Sequence, residues 1–442
     1  MRVLWVVNIM LPAYALKKGI ASSVREGWLT GIYEQIVSAG SKGEDLTLGV
    51  LFPAPKKGRA EVVDGVTFYP FKEDLAHPER YDKSLEKKFF DIIEQFQPDI
   101  AHIFGTEFPH ALAFVRAFQS PERTLIGLQG ICTEIAKYYR ADLPDTVFSH
   151  ATIRDAVKRD SLEQQRDKME IRGVRERGAM LLAGHITGRT SFDREFAKKL
   201  CPRAIYHPLN ETMRPAFYEG AWSLERADRH TIFVAQGDYP LKGLHFLLRA
   251  MPQLIRRFPD LRLKIAGIPV FDHRKEGGRK EGSGKRRAFL AVKKRLPQDV
   301  RNGAYGEYLR QIITAGSFWD HVTLTGVLDA EQMREAYLSA HIVLCPSMLE
   351  NSPNSVAEAM LLGVPCAASR AGGIPSMIED HQTGLLFTAG DSKSLALAVN
   401  ELFEDDTLCR TLSENAREVA RIRHDPETNG NRLLAIYREM LA

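Results

Sequence analysis

The stretch from His341 to Phe387 admits few folds. His341 to Cys345 is a short apolar run closed by Pro346, the pattern of a buried parallel strand. A polar turn follows, Ser347 to Asn354. Val356, Ala357, Met360 and Leu361 then share one face of a helix that stops at Gly363, with Pro365 just beyond. Pro365 to Ser369 reads as a second strand. Gly372-Gly373 opens another turn, and Pro375 to Ile378 reads as a helix start. Strand, loop and helix repeated in this way gather loops and helix N-termini at one edge of a parallel sheet, where anionic ligands bind. Two carboxylates fall in the unit. Glu350 lies in the loop after the strand and Glu358 on the first turn of the helix, so both can face one crevice. Ser355-x-x-Glu358 also fits a capping box, and a solvated loop carboxylate is the plain alternative for Glu350.

The order Pro346-Ser347-x-x-Glu350, then Glu358-Ala359-Met360-x-x-Gly363-x-Pro365, then Gly372-Gly373 resembles the donor-site signature of the family-4 retaining glycosyltransferases, the glycosyl transferases group 1. The resemblance implies an α/β fold of the GT-B kind, with two facing Rossmann-like domains, parallel sheets and a C-terminal helix that crosses back to the first domain. It implies that Glu350 meets hydroxyls of the transferred sugar and Glu358 the ribose of a nucleotide. Asn354, Ser355, Gly372 and Gly373 are grouped with the nucleotide-sugar contacts, and the backbone near Gly326 and Val327 with the base.

His230 to Ala235 reads as the strand that opens the second domain. It runs into Gln236-Gly237-Asp238-Tyr239-Pro240-Leu241-Lys242-Gly243 and then a helix. A glycine-bearing loop before a helix suits a phosphate, and Lys242 supplies a compact positive charge there. By the resemblance, Lys242 and Gly243 meet the diphosphate. The family usually has an Arg where Asp238 stands, so one cation of the usual pair is missing; Arg370, beside Gly372-Gly373, is a substitute to test. Residues 271–310 read as a basic, glycine-containing insertion. Its Gly282-Ser283-Gly284-Lys285 is no Walker loop, because Arg279 replaces the first glycine and Arg286 the magnesium-binding hydroxyl.

In the first half, Arg2 to Ile9 is a strand, and a helix follows through Val24, Trp28, Ile32 and Ile36. Asp64-Gly65 marks a hairpin, and Ile100 to Ile103 a further strand. The resemblance places Gly19, Glu107 and Gln129 on the acceptor side of the cleft; Gln129 stands where the family often has a His. His110 beside Glu107 reads as structural. Residues 151–183 read as a charged helix exposed to solvent. A helix lying on a membrane is the sharper alternative, opposed by the even mixture of Arg and Glu. The domain plan is 1–218 with the crossover helix 427–442, a linker at 219–229, and a donor domain at 230–426.

The net charge of +4 is small for 442 residues and gives no support for nucleic acid as a partner. The five cysteines are scattered and form no Cys-x-x-Cys pair, so neither a zinc site nor a disulfide framework is expected. The apolar N-terminus imitates a signal peptide, but Asn8 and Pro12 interrupt it, and it is read as a strand of a cytoplasmic protein. No Asp-x-Asp occurs, so no essential metal is expected. Together with the resemblance, these features lead to a retaining hexosyltransferase of polysaccharide biosynthesis. Its donor would be a UDP- or GDP-sugar and its acceptor a glycan, a lipid-linked or a small molecule, with peripheral contact at the inner face of the cytoplasmic membrane. A nucleotide-sugar epimerase or hydrolase on the same fold is the nearest alternative; a non-enzymatic binder of anionic polymers is a remoter one.

Overall fold

A computed structural model describes residues 1–20, 27–41, 43–54, 56, 58–271 and 302–442. Among them, apolar runs bounded by turns form two sheets. The first contains β1 (Arg2–Val7), β2 (Thr47–Ala54), β3 (Glu61–Val63), β4 (Val66–Lys72), β5 (Ile100–Phe104), β6 (Thr124–Gly127), β7 (His185–Gly188) and β8 (Ile205–Pro208). Their order is β3-β4-β2-β1-β5-β6-β7-β8, parallel except for the β3–β4 hairpin that Asp64-Gly65 turns. The second contains β9 (Asp228–Val234), β10 (Arg262–Ala266), β11 (Val322–Gly326), β12 (Ala340–Cys345), β13 (Cys366–Ser369) and β14 (Leu385–Phe387), in the order β11-β10-β9-β12-β13-β14, all parallel. Helices cover both faces, which is why interior strands such as β1, β5 and β12 are nearly uniformly buried. In the second sheet the chain order reverses between β9 and β12. The crevice beyond the C-terminal ends of those two strands is where open α/β sheets bind ligands.

The last helix, Pro426–Leu441, returns to the first domain. Leu433, Leu434, Ile436 and Tyr437 pack there with Trp5, Ile36 and Val50. The buried Tyr437 hydroxyl accepts from Trp5 Nε1 at 2.9 Å and shares a hydrogen bond with His102 Nδ1 at 2.7 Å. Burial pushes the His102 imidazole down to about 3, so it is neutral at physiological pH. The domains also meet elsewhere. Tyr139, Leu143, Phe148 and Leu162 belong to the core of the second domain, and His245 Nε2 lies 2.8 Å from the Ala141 carbonyl. Trp222, Leu224 and Ala227, from the stretch expected to link the domains, pack into that same core; the indole of Trp222 donates to the Ala340 carbonyl at 2.8 Å.

Three local expectations need correction. The end of the expected insertion belongs to the core of the second domain: Ala304–Ala315 is a helix whose Ala304, Tyr305, Leu309 and Ile313 are core residues. The rest of it, 272–301, lies outside the described residues, as does Val24 of the expected first helix. Pro375 to Ile378 starts no α-helix. The chain makes one 3-10 turn, Ile374–Ser376, that drops Ile374, Met377 and Ile378 into the core before β14. The charged segment is two helices, Ile153–Lys158 and Leu162–Met180, each begun by a capping box. Among the described residues no helix is long and apolar enough to cross a membrane.

Candidate active site

The loops that follow β9 and β12 are pressed together. Met348 N donates to the Leu241 carbonyl at 2.7 Å. Gly243 has φ +68°, and a Cβ on it would sit 1.9 Å from the Pro346 carbonyl oxygen, so only glycine fits. This contact brings the adjacent Lys242 ammonium 2.7 Å from Glu350 Oε1. Ser347 Oγ donates to the same oxygen at 2.7 Å, and the Lys242 ammonium lies 5.5 Å from the Tyr239 ring centre. Burial alone would lower the lysine pKa, but the Glu350 charge outweighs it and holds Lys242 protonated.

Gly372 and Gly373 brace the same loop from behind. A Cβ on Gly372 would lie 2.1 Å from the Glu350 carbonyl oxygen, and one on Gly373 1.8 Å from that of Asn351. Gly373 N donates to the Glu350 carbonyl at 2.8 Å and Ile374 N to Ala371 at 3.1 Å, so these two amides are engaged within the protein. The glycine pair therefore sets the position of Glu350. Arg370 does not replace the missing loop cation: it is half exposed and paired with Asp380.

Glu358 begins no capping box. The residue preceding the helix Asn354–Leu362 is Pro353, and no side chain caps it. Glu358 is buried, takes the Arg214 guanidinium on Oε1 at 2.7 Å, and accepts the Tyr337 hydroxyl on Oε2 at 3.1 Å. Burial raises its pKa, and Arg214 and Tyr337 oppose the rise.

Two cavities adjoin Lys242, Glu350 and Arg214; Glu358, Gly372 and Gly373 line neither of them. One, of about 360 Å³, is bounded by Lys242, Glu350, Asn354 and Ser355 on the second domain and by Gln129 and Arg189 on the first. The other, of about 290 Å³, lies among Arg214, Gln236, Asp238, Gly267, Val327 and Met333. Val327 is half exposed, and Gly326 (φ +80°) turns the chain before it. Asp238 Oδ1 is buried without a hydrogen-bond partner among the described residues.

On the first domain the outcomes diverge. Gln129 lines the larger cavity, held by Arg189, which donates to its side-chain and main-chain oxygens at 3.0 Å each. Glu107 supports that wall from behind, accepting Gly130 N on Oε1 at 2.6 Å and the Asn8 amide on Oε2 at 3.2 Å. Gly19 is exposed, with none of the described residues within 4 Å of a would-be Cβ, and lines neither cavity. His110 is buried between Glu73 and Asn8 and is structural. The sequence had given no role to Arg189, Glu211 or Arg214. Arg189 and Glu211 form a buried ion pair in the cavity wall, and Arg214 is the cation beside Glu358. Only the strand-end position of Arg189, after β7, was a legible cue.

With this geometry in view, comparison with known proteins is informative. Residues 222–419 match the family described as glycosyl transferases group 1. The chain is 33% identical over 122 residues to the sulfoquinovosyl transferase SQD2 of Arabidopsis thaliana, covering 27% of this chain and 23% of that protein. Sucrose-phosphate synthase from Thermosynechococcus elongatus superposes with a TM-score of 0.67 at 15% identity, over 100% of this chain and 99% of that one. Anabaena HepE, solved in complex with UDP, superposes with a TM-score of 0.62 at 16% identity, over 99% of this chain and 100% of that one. The fold is GT-B. The segment 222–419, somewhat less than half of the chain, is a group 1 glycosyltransferase domain. The matched segments span less than half the length of the curated relatives.

Proposed function

We propose that the cleft transfers a hexosyl group from a nucleoside diphosphate sugar, a UDP- or GDP-sugar, to a hydroxyl of a glycan, lipid-linked or small-molecule acceptor, with retention at the anomeric carbon. The observation that carries the reading is the Lys242–Glu350 pair, 2.7 Å apart at the switch point between β9 and β12. When a donor enters, the Lys242 ammonium meets the diphosphate and stabilises charge as it develops on the leaving group. Glu350, fixed from behind by Gly372-Gly373, accepts from sugar hydroxyls. Glu358 lies on the nucleotide side and shares its carboxylate between Arg214 and the ribose. Arg189, with Gln129, forms the opposite wall of the larger cavity, where the acceptor enters. The front-face course, with the leaving phosphate assisting the acceptor hydroxyl, follows by analogy with the family. The domain plan supports it: donor groups come from one sheet and the acceptor wall from the other.

Thermal-shift titration with UDP, GDP, ADP and their sugars tests the reading. A ligand bound by the native state alone at a hundred times its Kd adds about 2.7 kcal/mol of apparent stability. One nucleotide series is expected to raise the melting temperature and the others not to. No response to any nucleoside diphosphate would overturn the proposal.

A further inference from the structure

The loop that carries Glu350 is gripped from the other domain. Thr190 and Asp193 form the capping box of the helix Ser191–Leu200, at the C-terminal edge of the first sheet. Asp193 is fully buried. Its Oδ2 accepts Arg189 N at 2.9 Å, Thr190 N at 3.2 Å and Thr190 Oγ1 at 3.1 Å, which is what a cap requires. Its Oδ1 does something a cap does not require: it accepts the side-chain amide of Asn351, in the second domain, at 2.6 Å. Asn351 directly follows Glu350. The Thr190 hydroxyl also closes on the glycine pair, lying 2.6 Å from where a Gly373 Cβ would be. Ser191 N donates to Ser376 Oγ at 3.1 Å, and Arg423 donates to the Ser376 carbonyl at 3.0 Å and the Arg189 carbonyl at 2.7 Å. The turn after β7, the Glu350-Asn351 loop and the Gly372-Gly373 turn are thus stacked with no room for a side chain between them.

We infer that Asp193 is a positioning residue for the transfer: by binding Asn351 across the domain interface it fixes the Glu350 loop when the two domains are together. The inference rests on the proposed role of Glu350. Its physical content is that one carboxylate serves both domains. Moving the domains apart leaves the cap intact and, of the bonds Asp193 makes, breaks the one to Asn351, so the Glu350 loop then keeps its bracing by Gly372-Gly373 and loses the hold from the first domain. Asp193 itself lines neither cavity. Its loss should therefore appear in turnover and not in donor binding.

The test is a double-mutant cycle of Asp193→Ala and Asn351→Ala, with Asp193→Asn as the conservative variant. Transfer kcat and the Kd for the nucleoside diphosphate are read for each protein. A hydrogen bond to a buried carboxylate predicts a roughly ten- to hundredfold lower kcat for Asp193→Ala, with its Kd for the nucleoside diphosphate close to wild type. The double variant should be little worse than Asp193→Ala alone, because both changes remove one contact. Asp193→Asn should recover most of the turnover, since an inverted Asn351 amide can accept from the new amide. Thr190→Ala weakens the cap but spares the Asn351 bond, and should keep more turnover than Asp193→Ala. Additive losses, or wild-type kcat in Asp193→Ala, would overturn the inference. Failure of the wild-type protein to bind any nucleoside diphosphate would instead overturn the functional reading on which it rests.

Discussion

Replacing Lys242 by Met tests whether the Lys242–Glu350 pair is the centre of the donor site. The side chains retain 15% and 12% of their exposure, and the ammonium and carboxylate are 2.7 Å apart. Met keeps most of the volume but leaves the Glu350 carboxylate with only the Ser347 hydroxyl on Oε1. Removing one partner of a fully buried pair costs about 3–5 kcal/mol. The adjoining cavity admits water to this one, so a smaller cost, about 2–3 kcal/mol, is expected. For a domain of this size that corresponds to a melting shift of roughly 5–10 °C. Glu350→Gln in the same chain should restore much of the loss, because the stranded charge is then gone. Binding adds a second signature. A charge-assisted contact to phosphate is worth about 1.5–3 kcal/mol, so Lys242→Met should lose roughly ten- to a hundredfold in affinity for the nucleoside diphosphate and little for the nucleoside. Scanning calorimetry and titration calorimetry read the two effects. An unchanged melting temperature would refute the stability argument, and equal losses for the two ligands would refute the phosphate role.

Arg214→Ala should behave differently, weakening nucleoside and nucleoside diphosphate alike in titration calorimetry, because Arg214 lines the smaller cavity and pairs with Glu358, the group proposed to hold the ribose; a loss confined to the diphosphate would place it on the phosphates. Glu176 is buried against Cys132 N at 2.7 Å and Thr133 N at 3.1 Å, and burial pushes its carboxyl up to about 7. The folded protein then holds a proton that the unfolded chain releases near 4.5, so this contribution is complete below that pH and lost as pH rises through 7. The gap of about 2.5 units is worth up to about 3 kcal/mol, and Glu176→Gln should flatten the pH dependence of the melting temperature between about pH 5 and 8. Tyr437→Phe should cost about 1–2 kcal/mol in denaturant titrations by leaving Trp5 Nε1 buried without its acceptor, with no change in the nucleoside diphosphate Kd.

Much of this architecture was legible because hydrophobic runs and turn residues are local signals. The unit from β12 to β13 and the hairpin at Asp64-Gly65 follow from them, whereas the crossover of Pro426–Leu441 came from the resemblance. Lys242 and Glu350 could each be nominated from their own loops. Their direct pairing could not, because it joins residues 108 apart and depends on the squeeze between Gly243 and Pro346. The capping box at Ser355-x-x-Glu358 was misleading for a related reason. Local spacing permits it, but Arg214, 144 residues away, competes for the carboxylate with a full charge. Arg370 looked available beside the glycine pair until folding brought Asp380 against it. Asp193 carries a legible cap signal, Thr190-x-x-Asp193, and nothing in that signal announces the bond to Asn351. Contacts between segments brought together only by folding, within a domain or between domains, are the part that local patterning leaves out.

Proton NMR of the first-formed product tests the central claim most directly. Wild-type protein is given the nucleoside diphosphate α-sugar selected by the thermal-shift panel and an acceptor panel, and the anomeric signal is recorded before mutarotation. The account predicts an α-configured product, formed at a rate that Glu350→Gln lowers while nucleoside diphosphate binding stays nearly intact. A β-configured product, or full turnover by Glu350→Gln, would contradict it.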